Sequence, residues 1–239
     1  MANKWFQFKQ FKVHQRLSAM KVGTDGVLLG AWADISQSKN ILDLGTGTGL
    51  VALMLAQRNQ DALITAIDID KLAIQEAKEN IKCSPFSKRI KVIHISGQEL
   101  SKYCENKFDH LVCNPPYFEN NKNNNEGVRA IARQTITLTH QELIDIANQC
   151  IQEEGLLTLI LPSNLYSDIV YMSEKTGWNL IKSLEIKPTN NKPVNRIILT
   201  FSKKKINSYQ SQTIVVEPTN RHQYSQEYKE LLKDFMLNF

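Results

Sequence analysis

The chain has 239 residues, 29 of them Lys or Arg and 24 Asp or Glu, giving a formal charge of +5 at pH 7. With 42% apolar residues and ten glycines it has the make-up of a folded domain, which excludes a mostly disordered chain. Its longest apolar run, residues 50–56 (LVALMLA), falls far short of the roughly 20 residues of a membrane helix, and the opening MANKWFQFKQFK has no apolar signal-peptide segment.

A basic, aromatic stretch comes first. In residues 6–16 (FQFKQFKVHQR), Phe6, Phe8, Phe11 and Val13 alternate with Lys9, Lys12, His14 and Arg16. Two readings fit. One is a short strand pair covering a pocket, its lysines solvated. The other adds phosphate contacts to RNA through Lys9, Lys12 and Arg16. Residues 1–24 hold Lys4, Lys9, Lys12, Arg16 and Lys21 and no acid, so the charge excess lies there and the rest of the chain is neutral. Residues 1–34 read as an extension and residues 35–239 as a single domain.

A helix is predicted over residues 27–32, with Asp25 as its N-cap. Residues 40–44 (NILDL) read as a buried strand, 50–58 as a helix and 62–67 (ALITAI) as the next strand. Asp70 can cap a helix over residues 71–82, where Ile74, Ala77 and Ile81 recur at helical spacing. Strands follow at 90–95 and 108–113, then a polar loop at 119–127 (ENNKNNNEG). Residues 138–151 look helical, with Thr139 or His140 near the start. A strand at 156–161 ends at Pro162, weaker strands lie near 178–186 and 197–201, and a terminal helix covers 227–237. This alternation predicts an α/β fold with a mainly parallel sheet and helices on both faces, binding its ligand at the carboxyl ends of the strands.

The four cysteines have no CxxC spacing and no His at zinc-ligand distance, so no metal site is expected and the thiols read as reduced and cytoplasmic. The densest motif is Asp43-Leu44-Gly45-Thr46-Gly47-Thr48-Gly49, between a strand and a helix. Glycines there remove side chains where the backbone must turn sharply beside a ligand. Asp68 closes the next strand and can accept from both hydroxyls of a ribose. A dinucleotide fingerprint would need Gly at position 50, where Leu50 stands, so a cofactor without a pyrophosphate is favoured. The pattern resembles the S-adenosylmethionine site of Rossmann-like methyltransferases. That resemblance implies that Asp43, Gly45, Thr46, Gly47 and Gly49 face the methionine part, Asp68 the ribose and Ile69 the adenine. Gln98 stands where the family often has Asp, and its amide can recognise the adenine edge.

Asn114-Pro115-Pro116-Tyr117 follows the fourth strand directly. Two prolines withhold backbone donors, which leaves carbonyls to accept from a substrate amino group. Asn114 adds a side-chain carbonyl, and Tyr117 a face for stacking a planar group. The set suits a planar substrate with an exocyclic amino group or an amide, and resembles the NPPY signature of methyltransferases acting on such nitrogens. Asn114 therefore counts toward both the cofactor and the reaction.

With KVGTDGVLLGAW at residues 21–32, DLGTGTGL and NPPYF, the chain resembles the bacterial valine-tRNA adenine-N(6) methyltransferases over most of its length. The resemblance implies a class I methyltransferase fold, S-adenosylmethionine as cofactor and tRNA as partner, with no membrane and no obligate protein partner. It also puts Thr24 and Asp25 near the methionine end or the pocket mouth. Arg129 and Arg133, four apart, would form a basic helical face toward RNA or an ordinary solvated helix start. Methylation of a protein glutamine or of another base, and RNA binding without turnover, stay open as alternatives.

Overall fold

The computed structural model describes residues 3–104, 107–116, 138–205 and 208–238. The chain opens with two short strands, β1 (Trp5–Gln7) and β2 (Lys12–His14), paired antiparallel with Phe6 opposite Val13. Helix α1 (Thr24–Trp32) follows. Then strands and helices alternate: β3 (Asn40–Leu44), α2 (Leu50–Arg58), β4 (Leu63–Asp68), α3 (Lys71–Lys82), β5 (Ile90–His94), α4 (Gly97–Ser101), β6 (Phe108–Cys113), α5 (His140–Cys150) and β7 (Ile151–Pro162). The last part holds α6 (Tyr166–Lys175), β8 (Asn179–Lys187), β9 (Arg196–Ser202), β10 (Gln210–Val215) and α7 (Gln226–Leu232).

Eight strands form one sheet in the order β10-β8-β9-β7-β6-β3-β4-β5. Only the pairs that involve β9 are antiparallel. From β3 the chain winds outward through β4 to β5, then returns to place β6 on the other side of β3. That reversal opens a crevice at the carboxyl ends of the central strands.

The local sequence explains the central elements. Ile41, Leu42 and Leu44 of β3 are all buried, as a strand covered on both faces requires. Residues 50–56 of α2 are buried on every side because α1 packs over it. Gly30 permits this contact, since a Cβ there would lie 2.8 Å from Met54 Cβ. Asp70 caps α3 by accepting from Leu72 N at 2.8 Å, and Thr139 caps α5 in a reciprocal box with Glu142. Two apolar layers result. One joins α1, α2 and α7 to the sheet, and the other joins α5 and Ile169 of α6 to the opposite face. The first layer runs without a break across residue 34, with Val27, Leu28, Ile35 and Ile41 in one cluster.

Several expectations need correcting. Strand β7 begins at Ile151 rather than 156, directly at the end of α5. The terminal helix stops at Leu232. Three elements had no visible signal: α4 is a single short turn, α6 buries only Ile169 and Ser173, and β10 is an edge strand with four exposed residues in a row. Asp25 is not an N-cap. The helix begins at Thr24 with Gly23 at the cap, and Asp25 bonds elsewhere. The N-terminal strand pair exists, but it covers the α3 side of the core rather than the cavity. Phe8 and Phe11 stack at 4.7 Å between centroids, and Phe11 meets Phe86 edge-on at 6.3 Å. Among the described residues no helix is long and apolar enough to cross a membrane, and no three His, Cys, Asp or Glu cluster as a metal site.

Candidate active site

A cavity of about 650 Å³ lies at the carboxyl ends of β3 to β6. Its floor is the glycine turn after β3. There Gly45 N and Thr46 N both donate to Ile67 O at 2.9 Å, which fastens the turn to the end of β4. Gly47 N donates to Asp68 Oδ2 at 2.8 Å. Asp68 Oδ1 accepts from Asp70 N at 2.9 Å, so this carboxylate organises both loops and keeps acceptor capacity toward the cavity. Burial raises its pKa above the ordinary carboxylate value. Ile69 stands beside it with 43% of its surface exposed, an apolar face lining the cavity.

Asp43 does not line the cavity. It is 1% exposed and lies behind the turn, its Oδ2 accepting from Thr46 Oγ1 at 2.6 Å and from Ala52 N at 3.2 Å. Burial pushes its carboxyl up to about 7, against the pull of these two bonds. Two of the turn glycines differ in the same way. Gly45 has φ +78° and open space where a side chain would point, whereas a Cβ on Gly49 (φ +83°) would press on Ile81 Cδ1 at 3.3 Å and Ala77 Cβ at 3.4 Å. Gly45 therefore leaves room for a ligand, and Gly49 lets α2 start against α3.

One wall consists of residues 18–26, the stretch between β2 and the body of α1. Glu76 and Asn80, four apart on α3 and each 1% exposed, hold its beginning. The Glu76 carboxylate accepts from Arg16 N, from Leu17 N at 3.0 Å and from Ser18 N at 2.8 Å. Asn80 accepts from His14 N at 2.8 Å and donates to His14 O and Thr48 O, both at 2.9 Å. This ties the wall to the glycine turn itself. Gln15 Oε1 accepts from Val22 N, and Lys21 Nζ donates to Gln15 O and Ser18 O. Neither Glu76 nor Asn80 was expected. The available signal was two polar residues at helical spacing inside the buried stripe Ala73, Ile74, Ala77, Ile81.

Thr24 and Asp25 line the same cavity. Asp25 Oδ2 accepts from Arg196 Nε at 2.9 Å, so the start of α1 is tied to the start of β9. On the opposite side Asn114 and Pro116 line the cavity directly after β6, while Pro115 is buried and does not. Cys113 lies just beneath. Burial, with the Asp43 and Asp68 charges beside it, raises its thiol pKa well above the usual value, so it stays protonated and is no nucleophile. Gln98 closes the third side and donates from Nε2 to Glu142 Oε1 at 3.2 Å.

Tyr117, Arg129, Arg133 and the polar loop at 119–127 lie outside the described residues. The basic arm is not wholly free for RNA. Lys9 Nζ donates to Lys233 O, and Lys12 sits 4.6 Å over the Trp5 ring. Arg16 has an exposed side chain with its backbone on Glu76.

Comparison with known proteins agrees with this geometry. A family model described as Methyltransferase small domain matches residues 20–177. Proteins named tRNA1(Val) (adenine(37)-N6)-methyltransferase from Histophilus somni and Trichodesmium erythraeum are 41% and 39% identical, over 98% and 100% of both chains. Among solved structures, a predicted O-methyltransferase from Agrobacterium tumefaciens superposes with TM-score 0.68 at 19% identity, over 88% of this chain and 96% of that one. TYW2 of Pyrococcus horikoshii in complex with MeSAdo gives 0.59 at 15% identity, over 84% and 71%. These two likenesses establish the Rossmann-like methyltransferase fold. The identity to the curated relatives, carried along nearly the whole chain, goes further: this chain belongs to the tRNA1(Val) (adenine(37)-N6)-methyltransferase family.

Proposed function

We propose that the chain transfers a methyl group from S-adenosylmethionine to the exocyclic nitrogen of an adenine in tRNA, the adenine beside the anticodon of valine tRNA. The observation that carries this reading is that Asn114 and Pro116 share one cavity with the glycine turn and Asp68. Cofactor half and acceptor half thus open onto the same space. The fold family binds S-adenosylmethionine, and the residues present fit it. A cavity of about 650 Å³ has the size of a small-molecule site. Asp68 offers carboxylate acceptors for ribose hydroxyls, and exposed Ile69 offers an apolar face for a base. Thr46, Gly47 and Thr24 would border the methionine part, and Asp43 would brace the turn from behind through Thr46 and Ala52.

When bound, the cofactor supplies an electrophilic methyl on a sulfonium. The chain's own work is positioning. Asn114, with a backbone carbonyl of the turn it opens after β6, would accept the two N–H bonds of the target amino group and turn its lone pair toward the methyl. Their dipoles meet the positive charge that develops on nitrogen. The proton leaves afterwards to water, so no strong base is needed. A base in folded RNA must leave its stack to reach this cavity, and Tyr117 would receive its face. The residues after β6, with Arg129, Arg133 and the basic arm, would carry the RNA backbone, in a cytoplasmic enzyme whose partner is tRNA.

The test is methyl transfer to unmodified tRNA from the native host, followed by nucleoside mass spectrometry. N(6)-methyladenosine is expected in valine tRNA. Asn114→Ala is expected to lower kcat by about 10²–10³ with cofactor binding retained. No transfer to any tRNA, or transfer to a protein glutamine instead, would overturn the reading.

A further inference from the structure

Gln98 and Glu142 come from two helices that pack closely on each other. A Cβ on Gly97 would lie 2.7 Å from Ile146 Cδ1 of α5 and 2.9 Å from Leu44 Cδ1 of β3, so α4 has no slack against either. Ser96 caps α4 by accepting from Glu99 N, and Thr139 caps α5. Both oxygens of Glu142 are engaged. Oε2 accepts from Thr139 N and Thr139 Oγ1, each at 2.8 Å, and Oε1 accepts from Gln98 Nε2 at 3.2 Å. The Thr139 bonds, then that of Gln98, hold this carboxyl below its ordinary pKa. It is therefore ionised near neutral pH and can only accept.

An amide is ambiguous by itself, because exchanging its oxygen and nitrogen exchanges acceptor and donor. An acceptor-only partner removes that freedom. The NH2 group of Gln98 must face Glu142, which leaves Oε1 and one remaining N–H for the cavity that both residues line. We infer that Glu142 is a positioning residue that fixes the polarity of the Gln98 amide, so that the site reads the 6-amino group and N1 of the cofactor's adenine and rejects a 6-oxo purine. The inference rests on the proposed cofactor site and assigns its base selectivity. Adenine presents a donor at its 6-amino group and an acceptor at N1. Hypoxanthine presents the reverse, and against a fixed amide both bonds are lost. Gln98 fills a place where Asp is common in the resembled family, and in this orientation it supplies the same acceptor without a charge.

The test is calorimetric titration of the whole protein with S-adenosylhomocysteine and S-inosylhomocysteine. Wild type is expected to prefer the adenosyl ligand by about tenfold or more, from the two hydrogen bonds that a 6-oxo purine loses against the fixed amide. Glu142→Gln keeps a capping-box residue at this position but can donate as well as accept, so Gln98 is free to turn. In that variant the preference is expected to shrink to within about threefold, mainly by a gain for the inosyl ligand. Gln98→Ala should show the same levelling. Such a ratio is indifferent to a general loss of stability. An unchanged ratio in Glu142→Gln, or a wild type that does not discriminate, would overturn the assignment. Binding of neither ligand to wild type would overturn the cofactor site itself, and the assignment with it.

Discussion

Replacing Glu76 by Ala removes the acceptor of three consecutive backbone N–H groups at the head of the cavity wall. Ser18 is buried, so its N–H is left without a partner, at a cost of about 1–3 kcal/mol. Arg16 and Leu17 are exposed and can turn to water, losing about 0.5–1.5 kcal/mol each. The combined loss, about 2–6 kcal/mol, falls on a segment that can detach without unfolding the sheet. Hydrogen exchange followed by mass spectrometry reads it directly. Protection of residues 16–18 should fall by about 30-fold or more, while amides of β3 and β6 keep theirs. Because residues 18–26 line the cavity, the Kd for S-adenosylhomocysteine should rise by about tenfold or more. Unchanged exchange at residues 16–18 would refute the pinning role. Equal loss of protection across the central strands, with ligand affinity intact, would refute the claim that this wall serves the cavity.

Two further outcomes follow from the site. The Asp43 carboxyl has its pKa raised by burial to about 7 from 3.8, so between these values the folded state holds a proton that the unfolded chain has released. Its contribution to stability is full below about pH 4 and is lost as pH rises through 7, by at most about 4 kcal/mol. Asp43→Asn should therefore gain in Tm over wild type progressively from pH 4 to pH 8 while binding cofactor more weakly, and parallel Tm curves would contradict this. Arg196→Ala breaks a pair whose side chains are 32% and 25% exposed, so it should cost only about 0.5–1 kcal/mol. Because Asp25 lines the cavity, its larger effect should be a raised Kd for S-adenosylhomocysteine, which calorimetric titration checks; an unchanged Kd would contradict it.

Where chemistry is written in consecutive residues, the sequence was legible. The glycine turn, Asp68 and Asn114-Pro115-Pro116 are contiguous motifs at strand ends, and their strands are apolar enough to be found by inspection. The limits of α3 matched because Asp70 and its apolar spacing are local signals. Other parts had no local signature. Glu76 grips backbone amides 58 to 60 residues away, and an amide looks the same in every sequence. Asp25 reads as a helix cap until Arg196, 171 residues later, is seen beside it. Strand order shares this limit: nothing in the sequence of β9 tells that it runs between β7 and β8. The flaw in the reading of Asp43 was one of direction. The resemblance places this acid toward the ligand, whereas its bonds to Thr46 and Ala52 face inward.

The first strands find their anchorage at the other end of the chain. Lys9 N donates to Phe235 O at 2.8 Å, Lys9 Nζ reaches Lys233 O, and Phe8 shares a cluster with Phe235. A ribosome makes residues 8 and 9 more than two hundred peptide bonds before their partners. During that interval β1 and β2 have α3 to lean on but not the segment that closes over them. The wall they lead into has its Glu76 and Asn80 anchors early, whereas the cover over β1 and β2 closes only once residues 233–235 have been made.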